Sequence, residues 1–313
     1  MAILLARRVA LLVPTLFFVS LLIFGLQQLL PGDPALALAG EDQDPEVIAH
    51  IRQKYHLDQP LPVRYALWIG AALQGDLGES IRIDRPVLDL IAEKLPVTAE
   101  LAALALLISL SIGIPAGIVA AVKQGSAIDY GMAVVALWGL SIPNFWLGIL
   151  LILLFSVELG LLPASGFVSP GESLGQNLLT LIMPAFVLGT GFAAGIMRHT
   201  RSAMLQVLSA DYIRTARAKG LGERRVVLRH ALRNALVPVV TLAALDFGAL
   251  LSGAVLTEQV FTIPGFGKLI VDAVFNRDYA VVQGVVMCTA LAYVLLNLFV
   301  DIAYLFLNPR LRP

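Results

Sequence analysis

Apolar residues in this chain come in long unbroken runs rather than in the short alternations of a soluble fold. Six runs approach or exceed the roughly 20 residues that an apolar helix needs to cross a hydrocarbon core. They are Val9–Leu30, Val97–Val122, Gly131–Val157, Leu178–Met197, Ala235–Leu256 and Val281–Leu305. Pro115, Pro143, Pro184 and Pro238 fall inside them. Membrane helices tolerate proline where neighbours satisfy the freed backbone groups. Gly113/Gly117, Gly191/Gly195 and Ala249/Gly253 are small residues four apart, a spacing that lets helices approach closely. The pattern predicts an all-α, polytopic membrane bundle of six transmembrane helices. The first run follows Arg7 and Arg8 and is too long for a signal-peptide core. Asp33 and Pro34 also crowd the cleavage-like Ala35-Leu36-Ala37, so the run reads as a retained anchor.

The polar segments between the runs carry their own structure. Residues 1–30 form an N-terminal segment with the first span, residues 31–96 an outer loop, and residues 97–313 a core with a long polar loop at 198–234. In the outer loop, Asp44-Pro45-Glu46 has the order of a cap, a first-turn proline and an acid at the positive helix end. Val47, Ile48, Ile51 and Tyr55 then recur at helical spacing. Pro62–Leu73 and Pro86–Leu95 read as two more short helices, with Gly75-Asp76-Leu77-Gly78 turning between them. This helical element either caps the bundle or meets an external partner. In the 198–234 loop, Asp211–Lys219 has an acid at its start and bases in its last turn, and Gly220 follows as a stop. A second helix resumes near Glu223 and carries Arg224, Arg225, Arg229, His230 and Arg233. Tyr212, Ala216 and Gly220 share one face of the first helix, which predicts an exposed, small-residue surface. The residues alone leave two uses open: a docking surface for another protein, and a basic hairpin on anionic lipid.

Composition agrees with the runs. Of 313 residues, 58% are hydrophobic and 14% charged, against roughly 45–50% and 25% in soluble domains. The formal net charge is zero. A disordered chain, a basic nucleic-acid binder and a water-soluble enzyme are all excluded. The single cysteine, Cys288, allows neither an intrachain disulfide nor a cysteine-based zinc site. The charges are unevenly placed. With six spans, the side holding the N-terminus, residues 123–130, residues 198–234 and the C-terminus carries fourteen of the 22 bases. It carries only three acids, Asp129, Asp211 and Glu223. The excess of bases predicts that both termini and the 198–234 loop face the cytoplasm. Gly265-Phe266-Gly267-Lys268 is not a phosphate loop, because the spacing to an earlier glycine is wrong and Leu269 stands where Ser or Thr is needed. Any ATP used must therefore be bound by another chain.

Taken in order, several motifs resemble the membrane subunits of binding-protein-dependent ABC importers. The nearest group is the dipeptide/oligopeptide/nickel permease family, of the first-permease (DppB/OppB-like) type. The motifs are Leu30-Pro31-Gly32-Asp33-Pro34-Ala35, Gly75-Asp76-Leu77-Gly78, Gly113-Ile114-Pro115-Ala116-Gly117, the stretch Asp211–Thr241, Phe261-Thr262-Ile263-Pro264-Gly265, Asp278-Tyr279 and Asn308-Pro309-Arg310. The resemblance spans essentially the whole chain and implies a MetI-like permease fold. It implies that the segment of Asp211, Tyr212, Arg214, Ala216, Arg217, Ala218, Lys219, Gly220 and Leu221 is the EAA-type helix that docks in a cleft of an ATPase subunit. The chain departs from the general motif, with Arg214-Thr215-Ala216 where an acid and two alanines stand. Its Gly220-to-Pro238 distance is also longer than the general pattern. The resemblance further implies a second homologous permease subunit, one or two ABC ATPase subunits that bind ATP and Mg, and an extracytoplasmic binding protein. No cofactor in this chain and no nucleic-acid partner are expected. Peptides are the expected substrates, with nickel or other chelates and glutathione as the alternatives.

Polar residues within the spans are the remaining candidates. Asp246 lies near the middle of the fifth run, where a lone carboxylate costs about 2.5–3.5 kcal/mol. It either meets a cationic substrate group along a pathway or is held protonated or hydrogen-bonded as a structural residue. Asn297 and Asp301 lie one turn apart on the last run, and Asp301 is placed to pair with Arg310 or Arg312. An intramembrane aspartyl enzyme using Asp246 and Asp301 is disfavoured by their different depths. A secondary transporter would show internal repeats, and none is evident. No catalytic residue and no metal ligand set is expected.

Overall fold

The computed structural model describes residues 2–28, 35–36, 44–54 and 56–307. Regular structure among them is helical, apart from one isolated antiparallel bridge between Glu79 and Pro86. Helix α1 spans Ala2–Gln28, α2 Pro45–Lys54, α3 Leu61–Leu73 and α4 Val87–Val122. Helix α5 spans Ala127–Ser141. Helix α6, Asn144–Leu151, runs on through a π turn at Ile152–Glu158. Helix α7 covers Leu174–Leu208 and α8 Asp211–Ala218. Helix α9 is one continuous rod made of Glu223–Arg225, a π segment Val226–Ala231, and Leu232–Gly253. Short helices α10, Val255–Val260, and α11, Phe266–Phe275, precede α12, Tyr279–Leu307.

Proline accounts for two departures from the expected spans. The predicted Gly131–Val157 span is not straight: α5 and α6 meet at a 94° bend. Pro143 lacks an N–H and excludes the helical conformation from the residue before it, and Ile142 sits extended at φ −80, ψ 121. Among the described residues, five helices are therefore long and apolar enough to cross a membrane, or six if the bent pair is one span. Pro96 does the opposite. Residues 86–95 were expected to form a separate short helix, yet α4 runs unbroken through Pro96 for 36 residues. Burial on both sides of the proline, of Val87, Leu90 and Ile91 and of Leu101, Ala102 and Ala105, offsets the roughly 3 kcal/mol an interior proline costs. The expected cap of α2 is present, with Asp44 Oδ1 accepting from the Glu46 N–H at 3.0 Å. The Gly75–Gly78 turn is also present, with positive φ at both glycines. The sequences Leu30–Pro34, Ala37 and Asn308–Arg310 lie outside the described residues, as do the partners proposed for Asp301.

The chain forms two compact units, Met1–Val97 with Pro264–Leu295, and Thr98–Ile263 with Leu296–Pro313. In the first, Ile23, Val87, Leu90, Ile91, Phe266 and Val281 share a core. Buried polar pairs fix its register. Gln283 donates to Gln27 Oε1 at 2.6 Å, and Gln27 donates to the Tyr279 carbonyl at 3.1 Å. Ser80 donates to Asp278 at 2.5 Å, and Asp278 also accepts from the Val281 N–H at the start of α12.

The second unit is built on the crossing of α4 and α7. A Cβ added at Gly113 would stand 2.7 Å from the Ala193 carbonyl oxygen, and one at Gly117 2.6 Å from that of Met197. On α7 the matching glycine is Gly189, 2.7 Å by the same measure from the Ala105 carbonyl oxygen. The expected Gly191/Gly195 pair does not make this approach, because Gly195 has open space beside it. Helix α9 packs alongside, with Val239 and Ala243 against Ile196. Thr98 donates to Glu258 at 2.6 Å inside this unit, with both side chains buried.

Candidate functional site

The polar loop between α7 and α9 folds as a short projecting hairpin. Helix α7 ends at Leu208, two residues turn, and α8 begins at Asp211. Its apolar positions are three apart, so they fall on one side. Ile213 is fully buried and Ala216 nearly so, packed among Ala121, Met204, Val226, Val227 and Ala231. This corrects the expected exposed Ala216 face. The small side chain lets α8 lie close to the helices beneath it. The surface turned outward is made by Tyr212, Arg214, Arg217, Ala218, Lys219 and Gly220.

The end of α8 is closed by two reciprocal backbone bonds. The Gly220 N–H reaches the Arg217 carbonyl at 2.9 Å, and the Leu221 N–H the Ala216 carbonyl at 3.4 Å. This double closure needs a left-handed residue, and Gly220 has φ +77. Leu221 then turns back onto the core that holds Ala216. Arg217 joins the two arms of the hairpin by two bonds to Glu223, at 2.6 and 3.1 Å. That carboxylate holds the guanidinium above its ordinary pKa. Asn234 on α9 donates to the Tyr212 hydroxyl at 2.7 Å. Arg214 pairs loosely with Asp211 at 3.3 Å.

A further clamp was not anticipated from sequence. Arg201, near the end of α7, grips Asp129 through two bonds of 2.7 Å. Asp129 is almost wholly buried and also accepts from the Gly125 N–H at 3.0 Å. The short 123–126 turn is thereby tied to the base of the α8 hairpin. The available signal was that Asp129 is one of only three acids on a strongly basic side.

The two span residues singled out for a pathway, Asp246 on α9 and Asn297 on α12, are both half-buried, and among the described residues no hydrogen bond joins them. No cluster of three or more His, Cys, Asp or Glu is arranged for a metal among the described residues. Cys288 is half-buried beside the core of the first unit.

Long apolar helices, a glycine-mediated crossing and a capped basic hairpin define a polytopic helical membrane protein with a structured polar projection. The comparisons agree. Residues 113–313 match the binding-protein-dependent transport system inner membrane component, and residues 1–102 match the N-terminal part of such components. The chain is similar to the di/tripeptide transport system permease protein DppB of Pseudomonas aeruginosa, at 46% identity over 98% of each chain. It is 43% identical to the dipeptide transport system permease protein DppB of Escherichia coli, over 98% of this chain and 97% of that one. Among solved structures, it resembles a chain of the MetNI methionine ABC transporter, with a TM-score of 0.59 at 18% identity. That match covers 70% of this chain and 96% of the other.

The chain belongs to the family of binding-protein-dependent transport system inner membrane components. It is a multi-pass inner-membrane permease of the DppB/OppB-like type, not itself an enzyme.

Proposed function

We propose that this chain is one of two membrane halves of an ATP-driven importer of di- and oligopeptides. An extracytoplasmic binding protein delivers the substrate, and a second, homologous permease subunit completes the pathway. The Asp211–Leu221 segment docks on an ATPase subunit and carries its motion into the bundle. Both termini and the hairpin face the cytoplasm, a reading supported by the base-rich composition of that side. Asp246 and Asn297 lie along the pathway. The substrate class is supported by the names of the relatives.

The construction of the α8 hairpin carries the coupling role. Ile213 and Ala216 fix it to the membrane helices, Gly220 closes its end, and its basic outer face is exposed. A lever must be rigid toward what it moves and open toward what moves it. ATP binding and hydrolysis in the partner subunits would bias a two-state bundle through differential contacts at this surface.

The test is Gly220→Arg in the assembled complex. Uptake of a labelled dipeptide and substrate-stimulated ATP hydrolysis should collapse while insertion and assembly persist. Unchanged uptake refutes the coupling role. Uptake of nickel or glutathione without any peptide uptake by the unaltered complex refutes the substrate.

A further inference from the structure

Helix α3 is built inside out for a helix in water. Its 13 residues, Leu61–Leu73, contain one charge, and none of them is buried. By 100° per residue, Val63, Ala66, Leu67, Gly70 and Leu73 fall on one side. Leu67 and Leu73 are 47% and 83% exposed. The residues with polar atoms, Arg64, Tyr65 and Trp68, turn the other way, onto α1. Tyr65 shares a 2.7 Å hydrogen bond with Ser20. Tyr65 and Trp68 both pack on the Phe24 ring, and Arg64 donates to Gln28 at 3.2 Å.

The depth of these contacts identifies the surroundings. Ser20, Phe24 and Gln28 occupy the last turns of the apolar stretch Ala10–Gln28. At 1.5 Å per residue they span the final 12 Å or so of that stretch. A helix seated there lies within the hydrocarbon depth of one leaflet. On the side of α1 that meets α3, Phe17 and Leu21 are 49% and 41% accessible, and 100° per residue places them beside Ser20, Phe24 and Gln28.

A cavity of about 430 Å³ opens beside this contact, bordered by Phe24, Gln28, Arg64, Trp68, Asp76 and Glu79. The Arg64 guanidinium stands over the Phe24 ring at 6.0 Å. Among the described residues no carboxylate pairs with it. Cation and carboxylates at one cavity suit a zwitterion bearing a phosphate, and the flanking apolar surface suits acyl chains.

We propose that α3 is embedded in the leaflet at the C-terminal end of α1, and that the two helices hold a phosphatidylethanolamine molecule with its phosphate on Arg64. Its ammonium group lies toward Asp76 and Glu79, and its acyl chains run along Leu67 and Leu21. The outer loop is thereby pinned to the bilayer rather than standing in water. The proposal does not depend on the substrate of the transporter.

Spin labels attached to Leu67→Cys in a Cys288→Ala background test the placement, with the whole complex in lipid nanodiscs. Phe18→Cys and Glu172→Cys, an exposed position outside the apolar spans, serve as references for lipid and water. The Leu67 label should relax with dissolved oxygen as the Phe18 label does, and be shielded from an aqueous nickel chelate. Access to the chelate equal to that of Glu172 overturns the placement. Shielding from both reagents would mean that another subunit covers α3, and overturns it too. For the head group, native mass spectrometry of the complex should show a retained phosphatidylethanolamine. Arg64→Gln should reduce it about tenfold, the effect expected for losing a charge-assisted bond. Undiminished retention in Arg64→Gln, or displacement by added inorganic phosphate, refutes the lipid site.

Discussion

Replacing one glycine of the α4–α7 crossing by alanine should separate the two helices. At Gly113 the new Cβ would lie 2.7 Å from the Ala193 carbonyl oxygen and 2.7 Å from Ile196 Cγ2. Ordinary contact distances are about 3.5–4.0 Å, so the helices must part by about an ångström. The main obstacle is backbone, so no rotamer change relieves it. A gap of that size forfeits a quarter to a half of each dispersion contact along the crossing. The expected cost is about 1–3 kcal/mol. Gly117→Ala should behave alike, since its Cβ would stand 2.6 Å from the Met197 carbonyl oxygen. The double variant should cost less than the sum, because one separation relieves both clashes. Gly195→Ala is the matched control, with nothing within 4 Å of the added atom. There the helix should gain about 0.5–1 kcal/mol. Unfolding of the purified chain in mixed micelles, followed by circular dichroism against detergent fraction, measures each difference. Equal midpoints for Gly113→Ala and Gly195→Ala would refute the close-crossing argument.

Ile213→Ala removes the anchor of the α8 hairpin and should cost about 2–5 kcal/mol locally. Trypsin should then cut faster at Arg214, Arg217 and Lys219 in inverted vesicles, and uptake should fall. Asp129→Asn and Arg201→Gln should each lower the unfolding midpoint, and the double variant should lose less than the two together. Strict additivity would mean that the clamp carries no coupling. For Asp246→Asn, uptake of lysine-containing dipeptides should drop about tenfold relative to neutral ones, a difference of about 1.4 kcal/mol. An equal effect on both classes would assign Asp246 a structural role.

The transmembrane architecture and the hairpin were legible because each rests on a one-dimensional signal. A run of some 20 apolar residues has one low-energy solution in a bilayer, whatever it packs against. Gly220 likewise announces the end of α8, since only glycine takes its positive φ at little cost. What the runs could not disclose was the response to proline. Pro143 bends its span by 94° and Pro96 leaves α4 continuous, and the local chemistry of the two residues is the same. Tertiary burial around Pro96 decides the difference. The inward placement of Ala216, the Asp129–Arg201 clamp over 72 positions and the choice of Gly189 as the close contact of α7 are likewise properties of a packed arrangement. Periodicity reports which face of a helix is apolar. Whether that face meets lipid, another helix or a buried ion pair depends on partners distant in the chain. Helix α3 shows the same division: its composition marked a short apolar helix, and only its seat on the last turns of α1 shows that the polar side faces inward.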